Sequence, residues 1–347
     1  MQPKVLLVGN FLGASLGVQT VGEELAVHLA ASGYSVRTTS SRRRKAIRLI
    51  DMVRGVLGER RCYEVVQIDV FSGTAFVFAE VVSTLLRLLR KPYVLTLHGG
   101  DLPDFGRRWP RRVQRLLRNA TAVTAPSRYL REQMRGYRDD IRLLPNAVEV
   151  SAYPFHLREQ PRPRMLWLRA FHQIYNPKLA PAVLARVAAT SPNAQLTMIG
   201  RDKTDGSLEE TKRAAAAFRV QDRLAFPGAV PKDGVSTWLA AADIFLNTTD
   251  VDNTPVSVIE AMAAGLCIVS TNVGGLPYLL EDEHDALLVP PGNGEAMAQA
   301  VERVLHEPGL AARLSRNARA KAEQFDWDIV LPQWEQLLAA VAGGNQS

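Results

Sequence analysis

Residues 242–275 read ADIFLNTTDVDNTPVSVIEAMAAGLCIVSTNVGG. Ile244, Phe245 and Leu246 form a short apolar run, and residues 247–253 a polar, acidic loop. Thr254-Pro255 predicts a helix start, a capping residue followed by proline at the first helical position. Gly265 ends that helix, and residues 267–270 form a second apolar run. Strand, helix and strand in so short a span require parallel strands with a right-handed crossover. The fold class is therefore α/β. In open parallel sheets ligands sit beyond the carboxyl ends of the strands. The loop through Asn253, Thr254, Pro255 and Val256 lies at such an end and meets a helix N-terminus, whose N–H groups suit an anion such as phosphate. Asp252 and Glu260 bracket it. On the loop, Asp252 can accept hydrogen bonds from a polyol; inside the helix, Glu260 can accept them from a vicinal diol such as ribose. Either is equally compatible with a solvated acid.

The chain has 347 residues, too long for one ordinary core and suited to two domains. An apolar share of 47% with 22% charged residues describes a globular protein. Two cysteines, Cys62 and Cys267, make no disulfide framework and point to a reducing compartment. No leader-like apolar segment opens the sequence, and no run suits a membrane span, so a cytoplasmic location is expected. The net charge of +7 is concentrated in the first third, at Arg42-Arg43-Arg44-Lys45, Arg60-Arg61 and residues 107–118. Such a basic half suits a polyanion or an anionic membrane face.

Along the chain, residues 5–8 predict a strand, followed by a glycine-containing loop and a helix ending near Gly33. The loop lacks GxGxxG spacing, which disfavours a dinucleotide site. Residues 93–97 predict a strand ending in His98-Gly99-Gly100-Asp101, a histidine beside closely approachable backbone. Residues 153–164, with three prolines, read as a linker. The next strand ends at Arg169, which can fork two phosphate oxygens. The strand at 194–199 ends in Gly200, a place where nucleotide and backbone can approach. An apolar helical tail follows residue 325, with Trp327, Trp334 and Pro332.

The segment DNTPVSVIEAMAAGLCIVSTNVGG resembles the E-x7-E segment of the retaining family-4 glycosyltransferases of the GT-B fold. There the motif runs roughly E-G-F-G-L-x-x-x-E-A-M-A-x-G-x-P-V-V-x-T-x-x-G-G. TLHGGD at 96–101 is similar to the family's T-x-H-G-x-D, LPNAV at 144–148 to its I-P-N-G-V-D, and Leu16-Gly17-Val18-Gln19 to its GG-V-E. The resemblance implies two Rossmann-like doubly wound domains facing a cleft: an acceptor-side domain over 1–152, a linker over 153–164, a nucleotide-sugar domain over 165–324 and a terminal helix over 325–347 crossing back. It implies a hexosyl transfer from a nucleotide-diphosphate sugar to a glycan or lipid-linked acceptor, with retention and without a metal or other cofactor. His98, Asp252 and Arg169 would be catalytic; Gly17, Asp101, Lys178, Gly200, Asn253, Thr254, Pro255, Val256 and Glu260 would bind donor or substrate. Three departures stand out. Asp252 replaces the family's glutamate, the first glycine of GG is absent, and the G-R-x-x-x-x-K-G lysine position falls near Tyr175-Asn176, with Lys178 further on.

Residues 107–118 predict an amphipathic helix, Val113, Leu116 and Leu117 on one side and Arg111, Arg115 and Arg118 on another. It suits an anionic membrane at the inner face, or an ordinary surface helix. No recognition helix or aromatic-interleaved platform argues for nucleic acid. Asp250-Val251-Asp252 is a DxD, but Asp326-Trp327-Asp328 repeats the pattern, and two carboxylates are thin for a divalent ion. A silent nucleotide-sugar or glycan-binding module, or a nucleotide-sugar epimerase, are the alternatives.

Overall fold

The computed structural model describes residues 2–13 and 20–344, so Gly17 lies outside the described residues. It divides into two compact units, Met1–Ala147 with Trp327–Ser347, and Val148–Asp326. Each is built on a six-stranded sheet whose ladders are all parallel.

The first sheet contains β1 (Val5–Val8), β2 (Val36–Thr39), β3 (Val65–Val70), β4 (Tyr93–Leu97), β5 (Ala122–Ala125) and β6 (Arg142–Leu143), in the order β2-β1-β3-β4-β5-β6. The second contains β7 (Arg164–Leu168), β8 (Gln195–Ile199), β9 (Leu224–Gly228), β10 (Ile244–Asn247), β11 (Cys267–Thr271) and β12 (Ala286–Val289), in the order β12-β11-β10-β7-β8-β9. Largely apolar runs form inner strands such as β1, β4 and β10, because helices cover both faces. Alternate residues enter different cores: Trp167, Leu246 and Val269 on one face of the second sheet, Leu166, Phe245 and Ile268 on the other. In each sheet the order reverses direction once, between β1 and β3 and between β10 and β7. Loops leaving the strands at such a point diverge and open a crevice at the carboxyl edge.

Two expectations about boundaries are corrected. Residues 153–164 are no free linker: Tyr153 and Arg158 are buried within the second unit. The first unit ends at Ala147, and Val148 bridges to Asp326 inside the second. The helix Trp327–Gly343 belongs to the first unit, where Trp327, Val330, Trp334 and Leu338 pack with Val5, Leu7, Leu25 and Leu29.

Candidate functional site

Arg169 leaves the carboxyl end of β7, and its backbone N–H is held by the Ile199 carbonyl at 3.0 Å. The backbones touch here because Gly200 has no side chain: a Cβ would stand 1.7 Å from the Arg169 carbonyl oxygen. The guanidinium lies over the Tyr175 ring, 4.4 Å from its centroid, and Nη2 donates to Asp252 Oδ2. Both side chains are largely out of water, and Arg169 Nε is buried without a hydrogen-bond acceptor. Burial, the largest single effect, would loosen the guanidinium proton; Asp252 and then Tyr175, by charge and hydrogen bonding, together outweigh it, so Arg169 holds its proton more tightly than usual.

Asp252 sits in the loop after β10, the strand next to β7 across the reversal point. This loop is fixed from three sides. Trp167 Nε1 donates to Thr248 Oγ1 at 2.9 Å, the Asp250 N–H reaches the Ile174 carbonyl at 2.8 Å, and the Gly275 N–H reaches the Asp252 carbonyl at 3.1 Å. The two glycines after β11 are the seat for this loop. Cβ atoms on Gly274 and Gly275 would lie 2.1 and 2.0 Å from the carbonyl oxygens of Asp252 and Asn253. The helix that follows is Val256–Ala263, with Pro255 as its N-cap, so the expected start is corrected: proline precedes the first helical residue. Its ψ is an extended 120° and its side chain makes no cap, so the first-turn N–H groups of Val256 and Ser257 lack intrahelical partners. Asn253 and Thr254 are buried beside them.

Glu260 is buried in this helix. Tyr153 Oη donates to its Oε1 at 2.9 Å, and Lys232 Nζ donates to the same oxygen. The carboxylate is thereby fixed through Oε1. Burial, and then the Glu260 charge, push the Tyr153 hydroxyl well above its ordinary range. Sequence reasoning missed both partners. Lys232 follows β9, on the carboxyl edge that β7 and β10 share, but nothing in its local sequence marks it. Lys178, expected near Arg169, stands at the N-cap of the helix Leu179–Thr190 and pairs with Glu210 at 3.3 Å in a mostly exposed position.

In the first unit, His98 leaves the carboxyl end of β4. Its Nε2 lies 3.0 Å from Asp69 Oδ1, and its ring stacks on Phe71 at 5.0 Å. Gln67 Nε2 donates to Asp69 Oδ1 and to Thr96 Oγ1, each at 2.9 Å. Asp69 also explains Gly9, where a Cβ would lie 2.2 Å from Asp69 Oδ2. Asp69 was not anticipated; its partner His98 follows another strand. Asp101 is exposed at the N-cap of the helix Leu102–Arg108 and makes no side-chain cap. The expected single helix over 107–118 is corrected too. Trp109 ends Leu102–Arg108, and Pro110–Arg118 begins anew with Val113, Leu116 and Leu117 buried in the first unit.

Of the acids in the two DxD patterns, Asp250 Oδ1 accepts from Asn176 Nδ2 at 3.3 Å, Asp252 holds Arg169, and Asp326 Oδ2 accepts from the Val150 N–H at 3.0 Å. Among the described residues no three His, Cys, Asp or Glu are grouped to hold a metal ion, and no helix is long and apolar enough to cross a membrane.

The pattern of glycosyl transferases group 1 matches residues 154–321, and that of glycosyltransferase family 4 matches residues 16–152. A D-inositol 3-phosphate glycosyltransferase of Streptomyces bingchenggensis is 32% identical over 120 residues, 35% of this chain and 26% of that protein. The match thus spans about a quarter of that relative's length. Among solved structures, sucrose-phosphate synthase from Thermosynechococcus elongatus aligns over 99% of this chain and 100% of its own, with TM-score 0.84 and 18% identity. HepE from Anabaena in complex with UDP-glucose aligns over 97% and 100%, with TM-score 0.75 and 16% identity. These likenesses identify the fold as GT-B.

Proposed function

The chain belongs to glycosyltransferase family 4, and on that premise we propose that it transfers a hexosyl group from a nucleotide-diphosphate sugar to a glycan or lipid-linked acceptor, with retention at the anomeric carbon and without a metal ion. The observation that carries this reading is the meeting of Arg169, Asp252 and an uncapped helix N-terminus where β7 and β10 diverge. Glycosyl transfer needs a stabilised leaving diphosphate and a held, partly cationic sugar. Arg169 and the N–H groups of Val256 and Ser257 serve the diphosphate. Asp252 orients the sugar, and Glu260 accepts from the ribose. Within the first unit, His98, held by Asp69, offers a contact for a substrate hydroxyl. That HepE was solved with UDP-glucose supports a donor of this class. A cytoplasmic protein working at the inner membrane face fits its basic first unit.

Arg169 is bonded to Asp252, and Lys178 is turned to Glu210. These two facts favour one second reading, a module that binds the donor without turnover. A thermal-shift screen against nucleotide diphosphates and their sugars, in chelator, tests the first claim on wild type and Glu260→Ala. One nucleotide should stabilise wild type alone. If none does, the donor reading fails. Donor hydrolysis, with the anomer of the released sugar read by NMR, then separates turnover from silent binding and retention from inversion.

A further inference from the structure

The helix Lys45–Gly58 of the first unit has two apolar sides. Met52 and Val56, with the stem of Arg48, face the core. Ile47, Ile50 and Leu57 are 45%, 52% and 38% exposed. At about 100° per residue these three fall within roughly 80° of one another, opposite the buried stripe. Arg54 shares their face. The helix's acid, Asp51, is turned to Ser40, whose Oγ donates to it at 2.5 Å. A solvent-facing helix surface is ordinarily polar.

Cations frame this stripe. Exposed Arg42, Arg43, Arg44 and Lys45 precede it, and exposed Arg60 and Arg61 follow. Over residues 42–61 the chain has eight Lys and Arg against two acids. Buried Arg48 fixes the leading loop to the helix: Nε donates to the Arg42 carbonyl at 2.7 Å, Nη2 to that of Arg43 at 3.0 Å and Nη1 to Asn10 Oδ1 at 2.7 Å. The basic loop is thus presented in a set position beside the apolar stripe.

We propose that this face docks on an anionic lipid surface, Ile47, Ile50 and Leu57 entering the acyl boundary while the cations meet headgroup phosphates. Charge chooses this occupant, because a second copy of the face would set like charges together. The docking element is therefore Lys45–Gly58 and not Pro110–Arg118, whose apolar residues are spent inside the unit. The Arg42–Lys45 loop leaves the carboxyl end of β2, and His98 leaves that of β4. The strands are parallel, so both stand on one sheet edge, three strand spacings or about 14 Å apart. A lipid-carried acceptor at the docked surface is then brought to the His98 edge; this last step rests on the acceptor reading above, while docking itself does not.

The test is sedimentation of the whole protein with vesicles of phosphatidylcholine, alone or with phosphatidylglycerol. Wild type should prefer the anionic vesicles by about tenfold or more, and Ile47→Glu/Ile50→Glu should lose about tenfold of that binding while keeping the wild-type melting temperature. Arg111→Glu/Arg115→Glu, the control on the other helix, should lose less than about threefold. Docking is overturned if wild type ignores anionic vesicles, or if the isoleucine pair binds them as wild type does. Sedimentation velocity adds a separate outcome: a dimer that the isoleucine pair converts to monomer overturns lipid docking in favour of a second copy. Nucleotide diphosphate binding, measured on the same preparations, reports on the donor site independently.

Discussion

Arg169 and Asp252, 83 residues apart in the chain, hold each other at the ends of the neighbouring strands β7 and β10. The guanidinium is braced by Tyr175 on its face and by the Asp252 carboxylate at one nitrogen, while Nε stays without an acceptor. An arriving diphosphate meets a positive charge already oriented and already paired. Under the function proposed above, donor binding at this point would be an exchange of partners, in which Asp252 gives up Arg169 and turns to the sugar.

Asp252→Asn strips Arg169 of its buried counter-charge. Breaking such a pair from one side costs roughly 3 kcal/mol, and urea unfolding should show it. Asp252→Glu keeps the charge and should recover most of this stability. A loss for Asp252→Asn below about 1 kcal/mol would show that water screens the pair.

Glu260→Gln keeps the shape of the side chain but gives up the charge that Lys232 and Tyr153 hold. At a nucleotide concentration 100 times the wild-type dissociation constant, wild type gains about 2.7 kcal/mol from its ligand. The variant should lose most of this gain in a thermal-shift titration. Lys232→Met should weaken the same binding by about tenfold, since it frees the carboxylate without removing it. Unchanged nucleotide affinity in both variants would place the ribose elsewhere.

Gly274→Ala and Gly275→Ala put a methyl group against carbonyl oxygens of the Asp252–Asn253 backbone, which cannot rotate aside. The loop must move as a unit. Each substitution should lower kcat/KM for transfer by about a hundredfold with little change in far-ultraviolet dichroism, because a displacement of about 1 Å at a positioning loop has that effect. A variant with wild-type kinetics would mean that the loop is not seated on these glycines.

The two cysteines should differ sharply. Cys62 is exposed; Cys267 is buried in β11, and burial pushes its thiol up to about 12. At pH 8 only about one Cys267 in ten thousand is then thiolate, the reactive form. Alkylation followed by intact-mass measurement should add one group to the native protein and two after denaturation.

The second unit's plan was largely legible in the sequence because its signals are local. A capped apolar helix between two apolar runs, closed by two glycines, fixes a crossover, and the strands at 164–168 and 244–247 were placed from their own residues. The reason for Gly274 and Gly275 was not legible, since it depends on a loop more than twenty residues earlier. Lys232, Tyr153 and Asp69 were missed for the same physical cause: their partners Glu260 and His98 are brought to them by topology, 28, 107 and 29 residues away. For the basic helix both an ordinary surface helix and a membrane face stayed open, because periodicity identifies an apolar side without saying what covers it. Val113, Leu116 and Leu117 look inward, while Ile47 and Ile50, in a less regular segment, look out.

Arg158 spans much of the second unit by itself. It lies in the proline-rich stretch expected to be a linker, yet Nε reaches Asp243 at 3.2 Å, Nη1 the Ala264 carbonyl at 3.1 Å, and Nη2 the carbonyls of Ala242 and Leu239 at 2.8 and 3.4 Å. Asp243 is held in turn by Arg162 at 3.0 Å. A segment whose composition invites a protease is therefore fastened to the ends of two helices and cannot be drawn out into a cleavage site without opening them. A fragment cut to begin at the first strand of this unit would be born with an unanswered buried carboxylate.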